Sequence, residues 1–321
     1  VSSYRELGWQ QTLVLSAALE LGLLEEVREV RRSREVAQSL GLDPRAVGVV
    51  LEALVPLGVV EREEECLYRL REEHDGPLLD PRNEEYAGAL VRDRADEISA
   101  WSRLTEVLES GEPVRDRTAS SGVSGGGVTE TFVERMRREA LPGAEVTAQA
   151  LLTRLRSGAT ILDVGGGPGT IAEALARGGA RVTVFDLPEV AGMVRKRLGD
   201  SGIHVEAGDM NESLPDGPFD AVYLGHTSHM YGPEENRELF RRLYEVLAPG
   251  GVLAVRDFVQ GESEGAGMFA VNMLVSTRLG GVYSRDEYRR WMEAAGFEDF
   301  EVERVPGRGT HLVLGRRTNG G

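Results

Sequence analysis

The stretch Ala159-Thr160-Ile161-Leu162-Asp163-Val164-Gly165-Gly166-Gly167-Pro168-Gly169-Thr170 decides how the rest of the chain is read. A β-competent run ends on an acid, Asp163. The chain then turns through Gly165, Gly166, Gly167 and Gly169, and a helical pattern, Thr170 to Arg177, follows at once. Strand, glycine turn and helix in this order let backbone come close to a ligand and aim the free N–H groups of a helix start at it. The spacing departs from the G-x-G-x-x-G of nicotinamide and flavin folds, because the third glycine stands two residues after the second.

Outward from this turn, Arg181 to Asp186 reads as a second strand closing on an acid. An acid about 20 residues past the glycines is where a ribose diol is gripped. Gly208-Asp209-Met210 follows a third strand, Ile203–Ala207. Phe219–Leu224 is a fourth strand, and Leu247-Ala248-Pro249-Gly250-Gly251 leads into a fifth, Gly251–Phe258. Helices are expected near Thr170–Arg177, Pro188–Leu198 and Glu234–Leu247. Such alternation predicts a parallel sheet covered on both faces. A late helix, Tyr288–Ala295, precedes Phe297–Val305 and Thr310–Gly315, which flank the turn Pro306-Gly307-Arg308-Gly309 and read as an antiparallel hairpin.

The glycine turn, Asp186, Gly208-Asp209-Met210 and Leu247–Gly251, in that order, resemble the cofactor site of class I S-adenosylmethionine methyltransferases. The resemblance implies an α/β fold with a Rossmann-like sheet, parallel but for one antiparallel C-terminal strand. It implies S-adenosyl-L-methionine as cofactor, with Gly165, Gly167 and Gly169 close against it. Asp163 is expected to meet its amino end directly or through water, or else to cap the turn. Asp186 is expected to accept the ribose hydroxyls and Asp209 the adenine amino group. Met210 is expected on the adenine ring, and Leu187 and Tyr231 complete the cofactor set.

Length and composition bound the remaining possibilities. The chain has 321 residues, 41% apolar and 28% charged, with a net charge of −16 and the single cysteine Cys66. Two domains are expected. An acidic balance argues against nucleic acid as the main partner, because a face for the phosphate backbone is basic. One cysteine permits no internal disulfide. No apolar run reaches the ~18 residues of a spanning helix, and the opening residues do not read as a signal peptide, so a cytoplasmic protein with no membrane partner is expected.

The first 110 residues read as a separate domain. Tyr4–Leu24 is helical in pattern and broken by Gly22; Ser33 caps a helix to Leu40; Asp43 and Pro44 start another that runs to Leu57. Gly58–Val60 and Leu67–Leu70 suggest a hairpin, giving a winged-helix order. A DNA-reading version would place basic residues on the second helix, where Arg45 stands alone, so a dimerisation module is expected. Glu84–Glu109 reads as one or two helices, Val128–Leu141 as a helix, and another follows Pro142 to Arg156. The glycine-rich 117–127 is a loop, either a linker or a flap. The catalytic domain is expected over 128–321.

Beyond the fourth strand stand His226, His229, Met230 and Tyr231. A histidine at the carboxyl edge of such a sheet can serve as a general base near neutral pH. The region resembles small-molecule O-methyltransferases with an N-terminal winged-helix dimerisation domain, of the plant caffeate and bacterial polyketide or hydroxyneurosporene type. In that family a histidine after the fourth strand is the base, and His229 takes its place. Two acids often hold it: Asp257 matches the first, and Val282 stands where the second usually precedes the late helix. The segments 268–275 and 282–284 resemble a bacterial branch that includes a C-methyltransferase of bacteriochlorophyll synthesis. The resemblance implies methyl transfer to a hydroxyl of a small aromatic or conjugated acceptor, by in-line displacement, in a homodimer. The alternatives are a C-methyltransferase of the same fold and a cofactor-binding regulator without turnover.

Candidates for an apolar acceptor pocket are Trp101, Phe132, Met136, His226, Met268, Phe269, Asn272 and Met273. Asn272 is the most informative of these, since an Asn on an apolar helix face needs a partner. His226, His229 and a nearby carboxylate could also bind iron, but the resemblance implies no metal. His74, His204 and His311 are read as structural, in a loop and in strands.

Overall fold

A computed structural model describes residues 4, 6–83, 85–116, 130–306 and 309–319. The chain forms two compact units, Val1–Arg103 and Leu104–Gly321. Among the described residues no helix is long and apolar enough to cross a membrane.

The first unit runs α1 (Trp9–Glu20), α2 (Leu23–Glu26), β1 (Arg31–Arg32), α3 (Ser33–Leu40), α4 (Pro44–Leu54), β2 (Val60–Glu64), β3 (Leu67–Leu70), α5 (Glu72–Leu79) and α6 (Gly88–Trp101). Its boundaries follow local chemistry. Gly22 separates α1 from α2 with a left-handed backbone, a conformation that favours glycine. The Asp43 carboxylate accepts the Ala46 amide at 2.8 Å, with Pro44 in the first turn of α4. β2 and β3 form the hairpin, and β1 adds to β3. Leu15, Leu24, Leu51, Leu54 and Leu78 are buried together. His74 lies in α5 rather than a loop: Gly76 and Pro77 mask the helix in the sequence, while Glu72, Glu73 and Asp75 favour its first turn and buried Leu78 anchors it.

The second unit opens with α7 (Leu104–Ser110) and α8 (Glu130–Leu152). There follow β4 (Thr160–Val164), α9 (Thr170–Arg177), β5 (Arg181–Asp186), α10 (Pro188–Leu198), β6 (His204–Ala207) and β7 (Phe219–Gly225). Next come α11 (Pro233–Val246), β8 (Leu247–Asp257), β9 (Val259–Gln260), α12 (Ala266–Ser276), β10 (Tyr283–Ser284), α13 (Arg285–Ala295), β11 (Phe297–Arg304) and β12 (His311–Arg317). α7 belongs to this unit because it packs on α12, although the sequence puts the first domain at 1–110. The 117–127 loop lies outside the described residues.

The main sheet has the order β11-β12-β8-β7-β4-β5-β6. β8, β7, β4, β5 and β6 are mutually parallel, and β12 runs antiparallel between β8 and β11. Successive residues of β4 face opposite cores. Ile161 joins Leu151, Leu175 and Tyr223 on one face, and Leu162 joins Leu224, Phe240, Tyr288 and Trp291 on the other. Strand order reverses between β4 and β7, and ligands of open α/β sheets bind beyond the carboxyl ends of the strands at that point.

The expected break at Pro142 is absent: α8 continues through it. A proline removes one backbone hydrogen bond, and packing can compensate. The buried Arg256 guanidinium supplies that packing, since a Cβ on Gly143 would lie 2.7 Å from its Nη2. Arg256 also donates to Thr147 Oγ1 on α8 at 2.8 Å and to Thr310 Oγ1 at 3.1 Å.

Candidate active site

The turn after β4 is built around two carboxylates. Gly165 and Gly167 have φ of +63° and +50°, where side chains are strained, and Gly169 begins α9 with φ of +72°. Asp163 lies beneath the turn: a Cβ on Gly166 would sit 2.8 Å from its Oδ2. Asp186, at the end of β5, accepts the Gly167 amide on Oδ2 and the Leu187 amide on Oδ1, both at 2.8 Å. Each Asp186 oxygen therefore keeps one further acceptor position, which suits a diol.

Both acids are buried. Burial, with the Asp186 charge adding to it, pushes Asp163 up to about 8. Burial also raises Asp186, against the pull of its two amide donors. Asp163 Oδ2 is buried without a partner among the described residues. A pocket floor with two such acids favours a cationic ligand.

Other predicted residues gather around this floor. The Met210 methyl and the Thr227 hydroxyl would lie 3.2 and 3.0 Å from a Cβ on Gly165. The Met136 methyl would lie 3.2 Å from one on Gly167, so Met136 meets the glycine turn itself. Asp209 accepts the Asn211 amide at 2.8 Å, and Asn211 Nδ2 donates to the Tyr231 hydroxyl at 3.2 Å. That joins Asp209 and Tyr231 along one edge, and Leu187 is exposed beside Asp186.

The second half of the site lies past β7 and β8. His229 sits in a short 3₁₀ turn, Ser228–Met230, and Asp257 ends β8. Asp257 is wholly buried and accepts four donors: Ser228 Oγ at 2.7 Å, the His229 amide at 3.2 Å, His229 Nδ1 at 2.8 Å and the Phe258 amide at 2.9 Å. Burial works to raise Asp257, but the His229 charge and hydrogen bond, with His226 and Ser228 assisting, hold it below the usual carboxylate range. An ionised Asp257 can only accept, so His229 carries its proton on Nδ1 and leaves Nε2 as the basic atom.

Asn236 on α11 fixes the loop by donating to the carbonyls of Ser228, Tyr231 and Gly232 at 2.9, 3.0 and 3.1 Å. The Gly281 amide holds the His229 carbonyl at 2.9 Å, and the Tyr283 hydroxyl donates to that of Tyr231. Around the imidazole, Phe269 meets His229 edge-on at 4.9 Å between centroids and stacks on Phe258 at 4.3 Å. His226 is exposed at the rim, with a left-handed backbone and its ring 6.2 Å from that of His229.

His226, His229 and Asp257 bring potential ligand atoms within 4.8 Å of one another. The four donors on Asp257 occupy its lone pairs, so the arrangement serves an oriented imidazole better than a three-ligand metal centre. On α12, Phe269 and Asn272 are three residues apart and share a face. Met273 turns into the core at 2% exposure, while Met268 is 62% exposed. Phe132 lies on α8, but its side chain is outside the described residues. Trp101 ends α6 in the first unit. The sequence reading missed Ser228, Tyr288, Asn236, Thr227 and Phe258. Only the place of Thr227 and Phe258 just past strand ends could have signalled any of them.

Fold and site together define a class I methyltransferase. Residues 125–298 match the family described as an O-methyltransferase domain. The 8-O-methyltransferase TcmO of tetracenomycin polyketide synthesis from Streptomyces glaucescens is 30% identical over 298 residues, covering 88% of this chain and 86% of TcmO. The 3-amino-4-hydroxybenzoate 4-O-methyltransferase of Streptomyces cremeus is 28% identical, over 95% of this chain and 87% of its own. The solved structure of PigF with SAH superposes with a TM-score of 0.75 at 24% identity, over 98% of both chains. The chain belongs to the O-methyltransferase family. It is an enzyme, an S-adenosylmethionine-dependent methyltransferase.

The raised Asp163 has a signed consequence. An unfolded aspartate loses its proton near 4, whereas Asp163 in the fold keeps its proton until about pH 8. Between those values the folded chain binds more protons, so its stability falls as pH rises. For the cofactor-free protein, Asp163→Asn is expected to melt above wild type at pH 8 and to approach it towards pH 5. Thermal melts across this range check the prediction, and a constant difference would contradict it.

Proposed function

We propose that His229 is the general base of hydroxyl methylation and that Asp257 holds it in the productive tautomer. The contact of His229 Nδ1 with a buried, ionised Asp257 carries this reading. When bound, S-adenosylmethionine supplies an electrophilic methyl group. Gly165, Gly167 and Gly169 would provide its backbone cradle, and Asp163 and Asp186 would hold its amino end and its ribose. Asp209 and Met210 would hold its adenine, with Leu187 and Tyr231 completing the set. His229 Nε2 takes the proton of the acceptor hydroxyl, and Asp257 stabilises the imidazolium that forms. The rings of Phe258, Phe269 and His226 gather beside His229 and suit contact with a flat aromatic or conjugated acceptor, and relatives named for a polyketide and an aminohydroxybenzoate support that class. Asn272 shares a helix face with Phe269 and offers the acceptor a polar contact.

Residues 1–110 are proposed as a winged-helix-like dimerisation domain with linker helices, the last of which, α7, groups with the second unit, and 128–321 as the catalytic domain of a cytoplasmic homodimer. Trp9 and Val49, 63% and 61% exposed, support an apolar face on the first unit that a second copy covers. Light scattering is expected to give a dimer at micromolar concentration, and a monomer there would contradict the proposal.

Asp186→Ala is expected to weaken S-adenosylhomocysteine binding by about 2–4 kcal/mol, from two lost charge-assisted hydrogen bonds. Calorimetry reads this directly, and unchanged affinity removes Asp186 from the site. His229→Ala is expected to slow methylation of a hydroxyl acceptor about 10²–10⁴-fold with cofactor affinity retained. The pH profile of turnover for wild type and variant tests the base. A full rate for His229→Ala from pH 6 to 9 would favour transfer to carbon and remove the base.

A further inference from the structure

Val282, buried and apolar, stands just before Tyr283-Ser284, where the family resemblance implies a second acid. The support found here comes from two hydroxyls instead. Ser228 Oγ lies 2.7 Å from Asp257 Oδ2 and 2.7 Å from the Tyr288 hydroxyl. A serine hydroxyl has one proton to give, and an ionised carboxylate has none. Ser228 therefore donates to Asp257, and Tyr288 must donate to Ser228. The donor direction is fixed along the whole chain, from Tyr288 through Ser228 to Asp257, where His229 Nδ1 arrives from the other side.

Tyr288 is held for this task. It is wholly buried on α13, with the rings of Trp291, Tyr283 and Phe240 at 5.5, 6.3 and 6.3 Å. Burial keeps its phenol protonated far above neutral pH, so it remains a donor.

We infer that Ser228 and Tyr288 are positioning residues of the base: a neutral hydroxyl relay that fixes the Asp257 carboxylate and sets how strongly it draws the His229 proton. The inference rests on the reading of His229 as base. The other groups facing Asp257 are His226 and Tyr223 from β7 and its end, and Tyr283 from β10. Among the described residues none of them hydrogen-bonds the Ser228 hydroxyl, which bonds Asp257 and Tyr288.

A donor on a carboxylate spreads its charge and weakens its hold on a neighbouring imidazolium. Removing the Ser228 hydroxyl makes Asp257 a stronger acceptor, stabilises protonated His229, and moves the acid limb of the rate profile to higher pH. It also frees the carboxylate to rotate, which lowers the plateau. Removing the Tyr288 hydroxyl leaves Ser228 a poorer donor, so its effect has the same sign and is smaller.

The test is the pH dependence of kcat for the full-length enzyme with one accepted hydroxyl substrate. Wild type, Ser228→Ala, Tyr288→Phe, the double variant and His229→Ala are compared. For Ser228→Ala the acid limb is expected to rise by about half to one pH unit and the plateau kcat to fall roughly three- to tenfold, with KM for the cofactor unchanged. Tyr288→Phe is expected to shift the limb less. Because the relay is in series, the double variant is expected to match Ser228→Ala. If Ser228→Ala does not fold, Tyr288→Phe, which removes a single oxygen, decides alone. Acid limbs that superpose on wild type while His229→Ala is slow would overturn the relay and leave the base standing. A full rate for His229→Ala would overturn both.

Discussion

The hydrogen bond from the Gly167 amide to Asp186 Oδ2 joins the ends of two neighbouring strands and gives the glycine turn its shape. The turn has no side chains with which to hold itself. It is fixed from across by Asp186 and from below by Asp163, whose carboxyl fills the space that any side chain at Gly166 would need. Two buried acids beside an all-backbone cradle leave this end of the sheet short of positive charge. That shortage is what a ligand carrying a sulfonium and an ammonium can relieve. The cost of burying the acids is set by the sheet, and the relief comes with the ligand, so binding and folding act on the same two groups.

His229, the proposed base, lies one strand away, and the same register serves it. β7 and β8 end level with β4, so the loop that carries His229 and the residue that ends β8 meet at the carboxyl edge. The loop has little secondary structure of its own. Asn236 from α11, the Gly281 amide and the Tyr283 hydroxyl bond its carbonyls in turn, which converts a loop into a rigid support. Rigidity of this kind lets an imidazole keep one tautomer and one direction.

Much of this was legible in the sequence, for physical reasons that differ by feature. The glycine turn and Asp186 could be read because the chemistry is local: a strand of five or six residues, a turn only glycine can make, and an acid at the next strand end. Asp257 could be paired with His229 because parallel strand ends lie side by side. Ser228 and Tyr288 could not be paired, since 60 residues separate them and neither residue type signals the other. Pro142 was read as a break because propensity speaks for the isolated helix, whereas Arg256 acts on it from a strand more than a hundred residues away. The sequence offers Met268, Phe269, Asn272 and Met273 alike as candidates for the acceptor pocket. A helix divides such a run among its faces, so Met273 goes to the core, Met268 to solvent and Phe269 to the imidazole.

The short parallel ladder of β9 and β10 pairs Tyr283 with Val259 and Ser284 with Gln260. It closes the excursion that carries α12 at its base, much as a clasp closes a loop. The chain leaves and returns at one fixed place, and between residues 261 and 282 it is tied back by Ser263 Oγ to His311 Nδ1 of β12 at 2.9 Å and by the Gly281 amide to the His229 carbonyl. Lengthening a closed loop costs only about 0.6 kcal/mol per doubling. The segment beside His229 can thus vary by substitution or insertion while the β9–β10 ladder keeps its two ends in place. A fold arranged this way separates what must be kept from what can vary, and new acceptors become reachable by changes in one short segment.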